Sequence, residues 1–323
     1  MKKLSEITDY YYSDLAPVIK ELDKKRQRVK HRILFYYSFV AVFLTGGAYY
    51  ILTLSNEPDY FMIGVWYVVL MMVSFGIVAA LLSKDYVKEF KQKVISPLIK
   101  FIDPHLNYDP ERYIPESLLR YSGIVTSQID RYGGNDYVSG EIDGVFIEFS
   151  DVKAQLRRED SEGHVEYVTI FEGVLLKAEF PKHFHSRTYV FPDTAEKKFG
   201  SLIGRLLQAD STSYGKLIRM DNPEFEKEFV VYGGDAIEAH YILTQSMMQR
   251  MLEFKKRVAH EVAFSFVGGE MFVAVYYDKD TLEPSIFGSL LEYKIAKEYI
   301  DTLYYALGIV EELKLNQKLW SKR

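Results

Sequence analysis

Two apolar runs, Ile33 to Leu54 and Tyr60 to Leu82, lie close together near the start of the chain. Neither holds a charged residue, and only Ser55-Asn56-Glu57-Pro58-Asp59 separates them. At ~1.5 Å per residue, each is long enough as a helix to cross a hydrocarbon core about 30 Å thick. The pattern predicts a transmembrane hairpin. The flanks are amphipathic. Leu4, Ile7, Tyr11, Leu15, Val18 and Leu22 recur at three- and four-residue steps, which predicts a helix over 3–30 that kinks or restarts at Pro17. Val87, Phe90, Val94, Leu98 and Ile102 repeat that spacing after the second run, interrupted by Pro97. Asp103-Pro104 and Asp109-Pro110 then break the pattern. Residues 115–131 read as a further helix carrying Leu118, Leu119, Ile124 and Ile129.

From Gly133 the period falls from 3.6 to 2. Tyr137 to Ile142, Asp143-Gly144 and Val145 to Phe149 predict a hairpin, because Asp-Gly supplies the positive φ angles of a two-residue turn. The second strand runs on through Val152, Ala154 and Leu156. After a turn at Ser161-Glu162-Gly163, Val165 to Phe180 reads as one long strand or a pair, and Arg187 to Phe191 as a short one. Asp193-Thr194-Ala195-Glu196 has capping-box spacing ahead of a helix with Phe199, Leu202, Ile203, Leu206 and Leu207. Residues 208–227 read as loop. Phe229 to Tyr232 is a strand, and Asp235-Ala236-Ile237-Glu238 is a second capping box, opening a helix to about Val258. Val262 to Val267, Gly268-Gly269 and Met271 to Tyr277 predict another hairpin. A last helix runs from about Ser285 to Trp320, with a heptad-like seam of Tyr293, Ala296, Ile300, Leu303, Leu307 and Val310. Such a seam serves a partner helix, a second copy, or the sheet of its own domain.

Charge sets a sidedness. Lys24, Lys25, Arg26, Arg28, Lys30 and Arg32 precede the first run, and Lys84, Lys88, Lys91 and Lys93 follow the second. The intervening loop carries only Glu57 and Asp59. Basic flanks stay cytoplasmic, so both termini are expected in the cytoplasm and the short loop outside. The 24–32 cluster is also a candidate membrane-surface site, at about 1 kcal/mol per basic residue beside anionic headgroups. The spans hold no Asp, Glu, Lys, Arg or His for an ion path, which makes them an anchor. Net charge is −5 and the pI about 5.9, without the basic excess of a nucleic-acid binder. The chain has no cysteine, which excludes disulfides, thiolate nucleophiles and Cys-based zinc sites.

Candidate chemistry is sparse. His183 and His185, with Glu179, have the donor types of a zinc site, though Arg187 nearby disfavours a cation; surface histidines are the plainer reading. Glu141, Asp143 and Glu148 cluster about one hairpin, where carboxylates could serve acid–base work and Asp143 is equally explained by its turn. Gly233-Gly234-Asp235 lacks the glycine spacing and lysine of a nucleotide loop. Met247, Met248, Met251 and Met271 read as core filling, or as the lining of a flexible groove. No cofactor is expected.

Four stretches, Tyr137 to Val152, Ile170 to Phe180, Phe229 to Thr244 and Val262 to Met271, together resemble the bacterial domain of unknown function 3137 family. The resemblance implies paired spans ahead of a cytosolic α+β domain in a bacterial inner membrane. It carries over no activity, cofactor or catalytic residue. It also implies an association with LemA-type membrane proteins in an envelope complex.

The expected organisation is a cytosolic amphipathic helix over 1–32, a transmembrane hairpin over 33–83 (spans 33–54 and 60–82), a juxtamembrane helix and linker over 84–114, and a cytosolic α+β domain over 115–323 with an antiparallel sheet, packed helices and a long C-terminal helix. The leading functional expectation is a membrane-anchored interaction or scaffold module, more a binder than an enzyme. Its partners would be the lipid bilayer and a LemA-like protein or a second copy, with no nucleic acid. The alternatives are a ligand- or lipid-sensing domain, and a membrane-bound hydrolase using His183, His185 or the 141–148 carboxylates.

Overall fold

The computed structural model describes residues 2–54, 60–160, 162–193, 214–277, 280–313 and 315. The Ser55 to Asp59 loop, the Ser161 position of the predicted turn, the helix expected after Asp193 and the end of the last helix lie outside them. The chain forms two compact units. One comprises Ser5–Leu98 with Glu283–Glu298, the other Met1–Leu4, Ile99–Leu282 and Tyr299–Arg323.

The helical unit is built on α1 (Leu4–Tyr12), α2 (Ala16–Leu54) and α3 (Tyr60–Phe90). Pro17 falls in the first turn of α2, where its missing N–H costs nothing, so the amphipathic stretch and the first apolar run become one helix. Pro97 acts differently. A π-helical turn, Lys91–Ile95, precedes α4 (Ser96–Ile102), and the Ser96 N–H donates to the Lys91 carbonyl. The wider turn makes room for a ring that would otherwise strike the carbonyl four residues back. Ile7, Tyr11, Leu15, Ile19 and Leu22 are buried, as are Tyr86, Phe90, Val94 and Leu98.

Farther along α2 and α3 the burial stops. Only 6% of the most apolar window of each helix is covered by protein, and Phe35, Phe39, Trp66 and Leu81 face outward. Lipid is the solvent that such surface requires, and the chain is a membrane protein. Residues 283–298 pack on the polar ends of these helices. The Tyr11 hydroxyl donates to the Leu290 carbonyl at 3.2 Å, and Arg26 Nη1 donates to the Ile286 carbonyl at 2.9 Å.

The second unit is α+β. Its nine strands are β1 (Asn107–Asp109), β2 (Arg131–Ile142), β3 (Val145–Glu159), β4 (Val165–Glu179), β5 (Thr188–Pro192), β6 (Lys216–Ile218), β7 (Phe229–Gly233), β8 (Val262–Val267) and β9 (Glu270–Tyr276). They make one antiparallel sheet in the order β1-β2-β3-β4-β9-β8-β5-β7-β6. The two predicted hairpins are present. Asp143 and Gly144 take φ 50° and 80°, Gly268 and Gly269 φ 61° and 82°, the left-handed pairs a tight turn needs. The β8–β9 hairpin sits between β4 and β5, so residues 180–187 bridge strands that are not neighbours.

The helices depart from the periodic reading at four places. Residues 115–131 give only α5 (Glu116–Ser122). Gly123 ends it at φ 69°, where a Cβ would press on the Tyr189 ring. The supposed loop over 208–227 contains β6 and α6 (Pro223–Glu228), capped by Asn222. The helix after Asp235 is two, α7 (Ala236–Ile242) and α8 (Gln245–Val258), because the Thr244 side chain accepts from Met247 N–H and starts a fresh helix. Met247, Met248, Met251 and Met271 are buried as core, and Phe254 of α8 meets Phe264 of β8 edge to face. The last helix, α9 (Tyr293–Glu312), starts later than expected, and its seam from Ala296 to Val310 is buried within the protein.

Candidate functional site

The β2–β3 ladder is regular from Arg131↔Gln155 to Asn135↔Asp151 and resumes at Val138↔Phe149. Asp136 and Tyr137 therefore face Ser150 alone, which is a β-bulge. Asp136 sits at φ 59°, uncommon for a residue with a side chain, and is 1% exposed. Its N–H donates to the Pro110 carbonyl at 3.4 Å, and its carboxylate accepts from the Tyr108 hydroxyl. The bulge turns this aspartate toward Asp151 of β3 and Asp280, just past β9. Oxygens of all three lie within 4.8 Å of one another.

Each carboxylate has a protein donor. Asp151 Oδ2 accepts from the Thr281 N–H at 3.0 Å and hydroxyl at 2.8 Å, and Asp280 Oδ2 accepts from the Asn135 amide at 2.5 Å. The other oxygen of each, Asp151 Oδ1 and Asp280 Oδ1, is buried and receives no backbone N–H, amide or hydroxyl. Burial raises the Asp151 carboxyl well above the usual carboxylate range; the neighbouring Asp280 charge and a hydrogen bond between the two carboxyls push the same way, against the two bonds from Thr281. Asp151 and Asp280 also line a cleft of about 400 Å³. Its basic residues are engaged elsewhere: Lys153 pairs with Glu172 at 2.9 Å, and Arg131 stacks over the Tyr167 ring.

The sequence-derived candidates lie apart from this cluster. His183 and His185 are exposed, and among the described residues no third ligating side chain gathers about them. The segment is instead organised by Glu238, which accepts the N–H groups of His185 (2.9 Å) and Ser186 (2.7 Å). Those bonds hold the Glu238 carboxyl below its ordinary value. They also explain why the second capping box is half made. Asp235 caps α7 through the Ile237 and Glu238 N–H groups, while Glu238 bonds elsewhere. Glu148 is buried between the Tyr137 hydroxyl (2.7 Å) and Lys177 (3.3 Å), and Asp143 serves its turn.

The basic cluster before the first span divides. Lys24, Arg28 and Arg32 are exposed, Lys25 pairs with Glu89 at 3.0 Å, and Lys30 lies over the Phe287 ring. Arg26 differs from the others: it is 6% exposed and bound to Asp23 and the Ile286 carbonyl, so its guanidinium is engaged within the protein.

The aspartates were not singled out in the sequence. The available signals were Asn135-Asp136 after two glycines inside a strand, and an acid, Asp151, in the apolar stretch from Phe149 to Val152.

Residues 169–315 match the family described as a protein of unknown function (DUF3137), and the chain resembles that family. No curated protein matches it. Among solved structures, it is similar to the mycobacterial trehalose monomycolate transport factor A, TtfA. The match has 9% identity and a TM-score of 0.30, and covers 62% of this chain and 88% of that one. A likeness of that size carries no argument about the site.

Proposed function

We propose that the protein is a membrane-anchored interaction module of a bacterial inner membrane, with both termini and the sheet unit on the cytoplasmic side. The observation that carries the sidedness is the distribution of charge about two apolar, outward-facing helices. Exposed Lys24, Arg28 and Arg32 precede the first span, exposed Lys84 and Lys88 follow the second, and Glu57 and Asp59 are the only charges between. A binding role is supported by what the polar candidates do. Glu148, Asp143 and Glu238 are each committed to holding the fold. The expected partner is a second membrane protein, such as a LemA-type protein, or another copy of the chain.

Because the chain lacks cysteine, single-cysteine variants report sidedness cleanly. A membrane-impermeant maleimide should label Asn56→Cys from outside intact spheroplasts, and Glu162→Cys only after the membrane is opened. Labelling in the opposite sense would overturn the orientation. For the interaction role, particles extracted with native lipid should be heavier than one 37.6 kDa chain and its lipid. Monomers throughout, at native expression, would sink it. A ligand-sensing role is favoured by one observation, the acidic cleft.

A further inference from the structure

We propose that Asp136, Asp151 and Asp280 form a binding site for a hard divalent cation, held through carboxylate oxygens beside the cleft that Asp151 and Asp280 line. The inference does not depend on the anchoring or interaction reading. It rests first on convergence: three carboxylates from β2, β3 and the segment after β9 place oxygens within 4.8 Å of one another. A metal–oxygen distance of about 2.0–2.6 Å puts ligand oxygens on opposite sides of one ion roughly 4–5 Å apart. The second, independent observation is the state of those oxygens. Asp151 is 7% exposed; neither its Oδ1 nor the buried Oδ1 of Asp280 receives a backbone N–H, an amide or a hydroxyl, and the two carboxyls have only each other.

A buried carboxylate oxygen left bare is costly, and the protein has not economised on donors here. Thr281 gives two hydrogen bonds to Asp151 Oδ2, and Asn135 gives one to Asp280 Oδ2. Tyr108 donates to Asp136. In Asp151 and Asp280 one oxygen is thus fixed by the protein while the other takes no such bond, which is how outer donors orient carboxylate ligands around a metal. Among the described residues, the basic groups that line the cleft, Lys153 and Arg131, have partners of their own. The donor set is all oxygen, without imidazole or thiolate. It therefore suits Ca²⁺, Mg²⁺ or Mn²⁺ rather than zinc. The cleft admits the waters that would complete the coordination shell.

Calorimetric titration tests the site on the full chain in nanodiscs of neutral phosphatidylcholine, whose headgroups do not compete for cations as anionic lipids do. Ca²⁺, Mg²⁺ and Mn²⁺ are titrated separately. At least one should bind with one ion per chain. Asp151→Asn and Asp280→Asn should each weaken it at least ~30-fold through loss of a charged ligand. Tyr108→Phe, which removes only an orienting donor, should cost about tenfold. Glu141→Gln, an exposed carboxylate on the same hairpin, should bind as the parent does. Without cation, Asp151→Asn should melt no lower than the parent, because the amide keeps the acceptor oxygen that Thr281 binds and removes a buried acid; this separates lost binding from lost folding. No saturable binding of any of the three ions at millimolar concentration would overturn the proposal. So would binding that survives in the Asp151→Asn, Asp280→Asn double variant.

Discussion

Replacing Asp23 with alanine is expected to destabilise the helical unit by about 3–5 kcal/mol. Asp23 is 4% exposed and accepts from Arg26 Nε at 2.8 Å, Gln27 at 3.1 Å, the Ser289 hydroxyl at 2.9 Å and the Leu290 N–H at 3.2 Å. Arg26 is equally buried and has the Ile286 carbonyl as a further acceptor. A buried ion pair is worth little against a well-packed apolar pair, but removal of one member leaves the other desolvated and uncompensated. That second quantity is the one the variant reads. The Lys25–Glu89 pair is a useful contrast, at 27% and 37% side-chain exposure. Lys25→Ala should cost less than about 1 kcal/mol. Thermal melting in nanodiscs measures both, and proteolysis within 283–292 should accelerate only in the Asp23 variant. Equal melting of Asp23→Ala and the parent would show that the pair holds nothing together.

The same carboxylate predicts an acid response. Burial pushes Asp23 up, but hydrogen bonds from Arg26 and Ser289 and the Arg26 charge outweigh it, so its pKa is lowered from 3.8. The unfolded state then binds the proton more tightly than the folded state. The contribution is fully present above the ordinary carboxylate value and is lost as pH falls below about 4. Asp23→Asn should flatten the melting profile in that window and leave the slope above pH 5 unchanged.

What could be read from the chain was local. Asp143-Gly144 and Gly268-Gly269 carry their turn chemistry in adjacent residues, so both hairpins were legible. The anchor was legible because a bilayer demands a long uncharged run. The break between α7 and α8 was missed because Leu243-Thr244 keeps the apolar period while the Thr244 side chain caps a new helix. Arg26 looked like its basic neighbours, since its partners Ile286 and Asp23 differ from a headgroup only in three dimensions. The aspartate site was hidden for the same reason. Asp136 depends on a bulge that exists only relative to β3, and Asp280 lies beyond a hairpin inserted between two distant strands.

Gly134→Ala should be strongly damaging to the sheet, costing about 3 kcal/mol by overpacking. Gly134 pairs with Val152, and a Cβ there would fall well inside the van der Waals radius of the Asp151 carbonyl oxygen and 2.9 Å from Tyr113 Cβ. The obstacle is backbone, so no side-chain rotation relieves it. Gly133, one residue earlier on the same strand, has nothing within 4 Å of its own Cβ. Gly133→Ala should therefore be neutral or stabilise by up to about 1 kcal/mol, because alanine restricts the unfolded chain. The opposite signs at adjacent glycines exclude any explanation by loss of glycine alone. Relief at Gly134 requires β2 to move off β3 beside the bulge, which draws Asn135 from Asp280 and Asp136 from Asp151. Two readouts should then change together. The melting temperature should drop, and amides 135–138 should exchange faster than those of the β8–β9 hairpin. A variant that melts like Gly133→Ala, with 135–138 still protected, would mean that the close approach of β2 to Asp151 does not hold the bulge in place.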